Sequence, residues 1–286
     1  MSDFKIITDS SCDLSIEEAT KRGIVCLPLT FRFADEDKEY ANYDMPISDF
    51  YERMKAGGVA KTAAINTESF AECFRGVLEG GSDAIYLGLS SGLSTTFNSA
   101  RLAAAEVLAE YPERKIVIVD CLAASAGVAL LIDLLLEKKE SGASIEETAA
   151  YAEEMKLHIA HWFTVDDLVY LKRGGRVSPT VAFVGNLLGI KPILHVDNEG
   201  HLTSVSKSRG RHASLLALAE RLGATIKKDS KVYISHGNCM EDAIKLSEII
   251  EEKYGYKTQL ITDVGPVIGA HSGPGTLALF FVASER

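Results

Sequence analysis

No stretch of this 286-residue sequence is apolar enough for long enough to cross a bilayer, since the greasiest run, VALLIDLLLE, is broken by Asp133. The start, MSDFKIITDSS, lacks the basic opening and long apolar segment of a secretory leader. Both absences predict a cytoplasmic protein. Cysteines are few and scattered: Cys12, Cys26, Cys73, Cys121 and Cys239 form no CxxC pair and no Cys/His cluster. That excludes a disulfide framework and a zinc site of the usual spacing, and reduced thiols are expected. Basic residues are outnumbered, 30 to 40, for a formal charge of −10, so nucleic acid is not an expected partner. There is no G-x-x-x-x-G-K-[ST], and Thr8-Asp9-Ser10-Ser11 stands where a dinucleotide-binding glycine motif would follow the first strand. A kinase or dehydrogenase therefore lacks its phosphate cradle. The histidines make no H-x-x-x-H or H-E-x-x-H pattern, so no metal and no cofactor are expected.

What is present is an ordinary globular composition, with 47% hydrophobic, 24% charged and 8% aromatic residues, which excludes disorder and collagen. A chain of this length buries roughly 75% of its unfolded surface, enough for one large or two modest domains with an internal cavity. Short β-branched runs alternate with amphipathic segments: KIITDS, AIYLGL before RLAAAEVLAEY, and KIVIVD before ASAGVALLIDLLLEKKESG. That rhythm predicts a parallel, helix-covered sheet. SIEETAAYAEEMKLHIA reads as a further helix, with His158 and His161 on one face. Beyond it the pattern predicts a helix, a basic glycine turn, an apolar helix at VAFVGNLLGI, a hairpin turning at Asp197-Asn198-Glu199-Gly200, and then KVYISHG, a helix near 240–254, TQLITDV and TLALFFVAS. The expected fold class is α/β in two lobes: a parallel-sheet lobe over residues 1–158 and a second α/β lobe over 159–286, with a ligand in the cleft between them.

Sheets of this kind bind ligands beyond the carboxyl ends of their strands, and the segments there are rich in small hydroxyl residues. AIYLGLSSGLSTTFNSA runs strand, turn, helix; Ser94 and Thr95 at the helix start suit an anionic group, or equally a plain helix cap. The same turn holds Gly88-Leu89-Ser90-Ser91-Gly92, a literal G-x-S-x-G, with Asp263 and His271 downstream to complete a hydrolase triad. His271 is read as following a strand amid the glycines of VGPVIGAHSGPG, where a ligand can approach closely. Two basic clusters, Lys172/Arg173/Arg176 and Lys207/Arg209/Arg211, suit either a solvated loop or a docking patch for an acidic partner.

Taken in order, TDSSCDL, KT at 61–62, LGLSSGLSTTFNSA, VIVD, LVYLKRGGRVS, LLGIKPIL and DVGPVIGAHSGPGTLAL resemble the DegV family of bacterial fatty-acid-binding proteins, over about residues 5 to 282. The resemblance implies two α/β lobes enclosing a long-chain fatty acid, with its tail in a tunnel and its carboxylate at the cleft. It assigns carboxylate contacts to Thr62, Ser94 and His271, with Thr95 and backbone N–H groups of the 91–95 turn assisting. Arg173 and Arg176 fall in the family's basic loop, which would face an ATP-dependent fatty-acid kinase subunit. The carrier itself is not an enzyme on this reading, and transient contact with a membrane surface is compatible with it. Residues 61–67 and Cys121 depart from the family pattern. The competing readings are a serine hydrolase using Ser90 and His271, and a dihydroxyacetone-kinase-like subunit holding a small polar ligand.

Overall fold

The computed structural model describes residues 3–177 and 189–286. Strand β1 (Phe4–Asp9) is buried at five of its six positions, as expected of a parallel strand covered on both faces. The chain continues through α1 (Ile16–Lys21), β2 (Val25–Leu27), β3 (Thr30–Phe33), β4 (Tyr40–Ala41), α2 (Ile47–Lys55), β5 (Ala60–Ala63), α3 (Thr67–Glu79), β6 (Asp83–Gly88), α4 (Thr96–Glu110), β7 (Ile116–Asp120), α5 (Ala126–Glu140) and α6 (Ile145–Met155). Strands β2, β1, β6 and β7 pair in that order as a parallel sheet. Between β2 and α3 lies a small antiparallel sheet, β4-β3-β5, which the alternation rule did not anticipate because its strands are only two to four residues long.

The remaining elements are β8 (Ile159–Thr164), α7 (Val169–Gly174), β9 (Ile190–Val196), β10 (Leu202–Arg209), α8 (Arg211–Thr225), β11 (Val232–His236), α9 (Met240–Tyr254), β12 (Thr258–Asp263), α10 (Pro266–Ser272) and β13 (Leu277–Val282). Six of these strands form a mixed sheet of order β10-β9-β8-β13-β11-β12, parallel only between β11 and β12. The fold is mixed α/β, with a parallel sheet and a separate mixed sheet.

Two expectations need correction. The helix expected through KLHIA stops at Met155, and Ile159–Thr164 is a strand held by β13 on one side and β9 on the other. All six of its residues are buried, so it has no polar face to produce the period-two pattern. His158 and His161 accordingly share no helix face. The hairpin at 197–200 forms as expected: the Asp197 carboxylate accepts from the Glu199 and His201 N–H groups at 3.0 and 2.9 Å, and Gly200 takes φ +79°, where a side chain would be strained. Most of the apolar segment VAFVGNLLGI lies outside the described residues.

Helix α5 joins the two sheets. Its first two turns are buried, and it packs against β6 of one sheet and β8, β11 and β13 of the other. Asp133, which interrupts the apolar run, is paired with Arg22 at 2.8 Å and accepts the Tyr233 hydroxyl, tying α1, α5 and β11 together.

Candidate ligand-binding site

A cavity of about 520 Å³ opens among β5, the 89–95 turn, β8, α7, β13 and α10, within the size range of small-molecule sites. Much of its wall is apolar: Leu89, Phe163, Leu171, Val196, Leu202, Val267, Ile268 and Phe280 all line it. Thr62, Ser94, Thr95, Arg176 and His271 line it too.

Thr62 gets there through the small sheet. It lies opposite Phe31 in the β3–β5 register, and Phe31 belongs to an aromatic cluster with Phe33, Tyr40, Phe50 and Tyr51 that also buries Ala270 of α10. Packing aromatic rings against that helix brings residues 209 apart in sequence into contact, with Thr62 Oγ1 2.8 Å from His271 Nε2. His271 lies in the last turn of α10, a helix begun by Pro266, and not after a strand as the sequence suggested. Its Nδ1 has no partner among the described residues. Instead, the Gly174 backbone closes over it so tightly that a Cβ there would stand 2.2 Å from Nδ1. Burial first, and then the Arg176 guanidinium, push the imidazole down to about 4, so it is neutral near pH 7. In one tautomer Nε2–H donates to Thr62, which frees the threonine proton for an oxygen in the cavity.

The basic pair divides. Arg173 is exposed, with its guanidinium 5.7 Å from the Tyr170 ring centroid. Arg176 turns inward: Nε donates to the Leu93 carbonyl at 3.1 Å and Nη1 to that of Gly174. Burial lowers its pKa, as for a cation held without a carboxylate partner. Five N–H donors on a fixed fork leave it spare donors beside the cavity.

In the 91–95 turn, Ser94 Oγ accepts the Thr96 N–H at 3.2 Å and lies 2.9 Å from Thr96 Oγ1. It therefore caps the helix as well as lining the cavity, whereas Thr95 is exposed and makes no cap bond. The backbone donors expected to assist are largely committed: Ser91 N–H goes to Asp120, Gly92 N–H to Ser90 Oγ, and Leu93 and Ser94 N–H both to the Ser90 carbonyl. The hydrolase triad is not assembled. Ser90 is buried and its hydroxyl donates to the Gly200 carbonyl at 2.9 Å. Asp263 lies 3.4 Å from His236, not at His271. The G-x-S-x-G match is a turn fixed by its own hydrogen bonds.

Sequence reading missed a second polar group on the same cavity. Ser125 and Ser235 line it with their hydroxyl oxygens 2.8 Å apart, and Ser125 donates on to the buried Asp13. Burial pushes the Asp13 carboxyl up to about 8. Asp13 and Ser125 both have positive φ, +56° and +57°, a conformation no local sequence pattern announces. Among the described residues, no group of three or more His, Cys, Asp or Glu is placed to hold a metal ion, and no helix is long and apolar enough to cross a membrane.

The family whose sequence profile matches, described as "Uncharacterised protein, DegV family", covers residues 3–284. A DegV domain-containing protein of Clostridium perfringens is 39% identical over 290 residues, 100% of this chain and 99% of the relative. A Thermotoga maritima relative described as a fatty acid-binding protein is 33% identical over 289 residues, 99% of this chain and 98% of its own length. Among solved structures, the fatty acid kinase (Fak) B3 protein of Streptococcus pneumoniae, loaded with linoleic acid, superposes with a TM-score of 0.86 at 25% identity, covering 98% of this chain and 99% of that one.

Proposed function

The chain belongs to the DegV family, and on that premise we propose that it binds one long-chain fatty acid non-covalently and presents its carboxylate to a partner kinase that forms the acyl phosphate. The observation that carries this reading is the Thr62–His271 hydrogen bond, 2.8 Å long, beside the inward Arg176 in the wall of a largely apolar cavity of about 520 Å³. Each buried methylene contributes roughly 0.8 kcal/mol, so a tail of about 14 methylenes contributes on the order of 11 kcal/mol before ordering costs. A carboxylate at a partly dry site needs several donors. Thr62, Ser94 and Arg176 supply them, with His271 orienting the Thr62 hydroxyl through Nε2 and the cation offsetting the ligand's charge. A fatty acid-binding relative at 33% identity supports the ligand class. The Fak B3 likeness supports the kinase, and the exposed Arg173 is the residue we assign to docking it. Arg176, committed to the cavity, is reassigned from docking to the head group.

The division into lobes at residues 158 and 159 belongs to the same proposal; the parallel sheet draws its strands from residues 4–120 and the mixed sheet from 159–282. The decisive experiment is extraction of the purified protein with organic solvent followed by mass spectrometry. Stoichiometric fatty acid is expected, and its repeated absence, together with no binding on titration, would overturn the reading. Arg173→Ala should leave lipid affinity intact and weaken kinase-coupled turnover, whereas Arg176→Ala should weaken lipid affinity itself.

A further inference from the structure

The register of the mixed sheet places a hydroxyl inside the greasy wall. Phe163 of β8 faces Ala278 of β13, and Ala278 faces Ser235 of β11, so the three form one row across the sheet and all line the cavity. The small Ala278 leaves room beside the serine. Ser235 is fully buried, and its only side-chain partner among the described residues is Ser125. Ser125 is in turn bonded to Asp13, whose other carboxyl oxygen accepts the Gly265 N–H at 2.9 Å.

The chain of hydrogen bonds is therefore closed at the Asp13 end and open at Ser235. With Ser125 donating to Asp13, Ser235 donates to Ser125 and keeps an unused acceptor. If the proton sits on Asp13 the chain runs the other way, and Ser235 keeps an unused donor. Neither arrangement is complete. Ser272 adds a second oxygen: it lines the cavity at 5% exposure and its hydroxyl has no partner among the described residues. A wall built only to hold a hydrocarbon gains nothing from such hydroxyls: Ser272 is buried without a partner among the described residues, which is costly, and Ser235 is left with bonding capacity unused. A ligand hydroxyl is both donor and acceptor, so it completes either arrangement.

We propose that the cavity prefers a hydroxylated long-chain fatty acid, with the hydroxyl of the acyl chain held by Ser235 and backed by Ser125 and Asp13. The inference rests on the fatty-acid reading above and specifies its substrate class. The test is displacement of a fluorescent fatty acid from the full-length protein by octadecanoic acid and by a series of its positional hydroxy isomers. One isomer is expected to bind about tenfold more tightly than octadecanoic acid, the worth of one well-made buried hydrogen bond. Ser235→Ala should reduce that advantage, measured against octadecanoic acid on the same variant, to less than twofold. If octadecanoic acid binds and no isomer surpasses it, or the advantage survives in Ser235→Ala, the hydroxyl inference is overturned and the fatty-acid reading stands. If no acid in the series binds, both are overturned. The wild-type isomer series decides the matter without depending on any variant's folding.

Discussion

Replacing Gly174 by alanine tests the proposed head-group site without touching any residue assigned to bind the acid. The added Cβ would stand 2.2 Å from His271 Nδ1, far inside contact distance, and the opposing atoms belong to an imidazole that can turn about its own bonds while the α7 backbone cannot easily retreat. The ring therefore swings away, and its 2.8 Å bond to Thr62 breaks. Thr62 is then no longer oriented, and its hydrogen bond to the acid's carboxylate, worth about 1.5–3 kcal/mol as a bond to a charged group, is lost, so fatty-acid affinity should fall roughly 10- to 150-fold. Tail burial is untouched, and some binding persists. Isothermal titration of wild type, Gly174→Ala, His271→Ala and the double variant with hexadecanoic acid reads the effect. In the double variant the clash has nothing to strike, so adding Gly174→Ala to His271→Ala should change affinity by less than threefold. Wild-type affinity in Gly174→Ala, or an equally large loss in the His271→Ala background, would show that the glycine does not act through the histidine.

Three further outcomes are expected. His271 is held neutral, with its pKa lowered from 6.5 to about 4, so its contribution to stability is full above pH 6.5 and is lost as pH falls toward 4, by about 3 kcal/mol; denaturant melts at pH 4.5 and 7.5 should show a smaller pH difference for His271→Gln than for wild type. Asp13 behaves oppositely: its pKa is raised from 3.8 to about 8, so its contribution is present below pH 4 and lost as pH rises through 8, and Asp13→Asn should gain on the wild type between pH 5 and pH 9, with an unchanged gap counting against a buried neutral carboxyl. Asp133→Ala removes one of the two carboxylate partners of Arg22, whose side chain is only 17% exposed, and the acceptor of the Tyr233 hydroxyl; thermal unfolding should show a loss of about 3 kcal/mol, and a loss below 1 kcal/mol would show that the remaining Glu18 pair is enough for Arg22.

The parallel sheet was legible because its strands, buried on both faces, read as apolar runs between amphipathic helices, and the 197–200 hairpin because its turn residues have a mechanism of their own. Strand β8 was hidden by the same double burial, since KLHIA continues a helical pattern into it without a break. Thr62, Ser94, Thr95 and His271 are marked out in the sequence largely by the family resemblance, and all four line one cavity. Spacing could not distinguish Arg173 from Arg176, because three residues at the end of a short helix turn one guanidinium outward and the other in. Nor could any local pattern join Asp13, Ser125 and Ser235, which come from three distant segments and meet only when β1, α5 and β11 converge. The G-x-S-x-G match shows the converse error, since a five-residue pattern says nothing about what its serine hydroxyl touches.

The 209-residue span between Thr62 and His271 has a bearing on synthesis. While the ribosome is still translating the first nine-tenths of the message, the threonine has no histidine to meet, and closing so long a loop carries an entropic cost that only the completed fold repays. A nascent chain that stops short of His271 therefore lacks this bond, and on the fatty-acid proposal its hold on a carboxylate stays incomplete until that residue has been added.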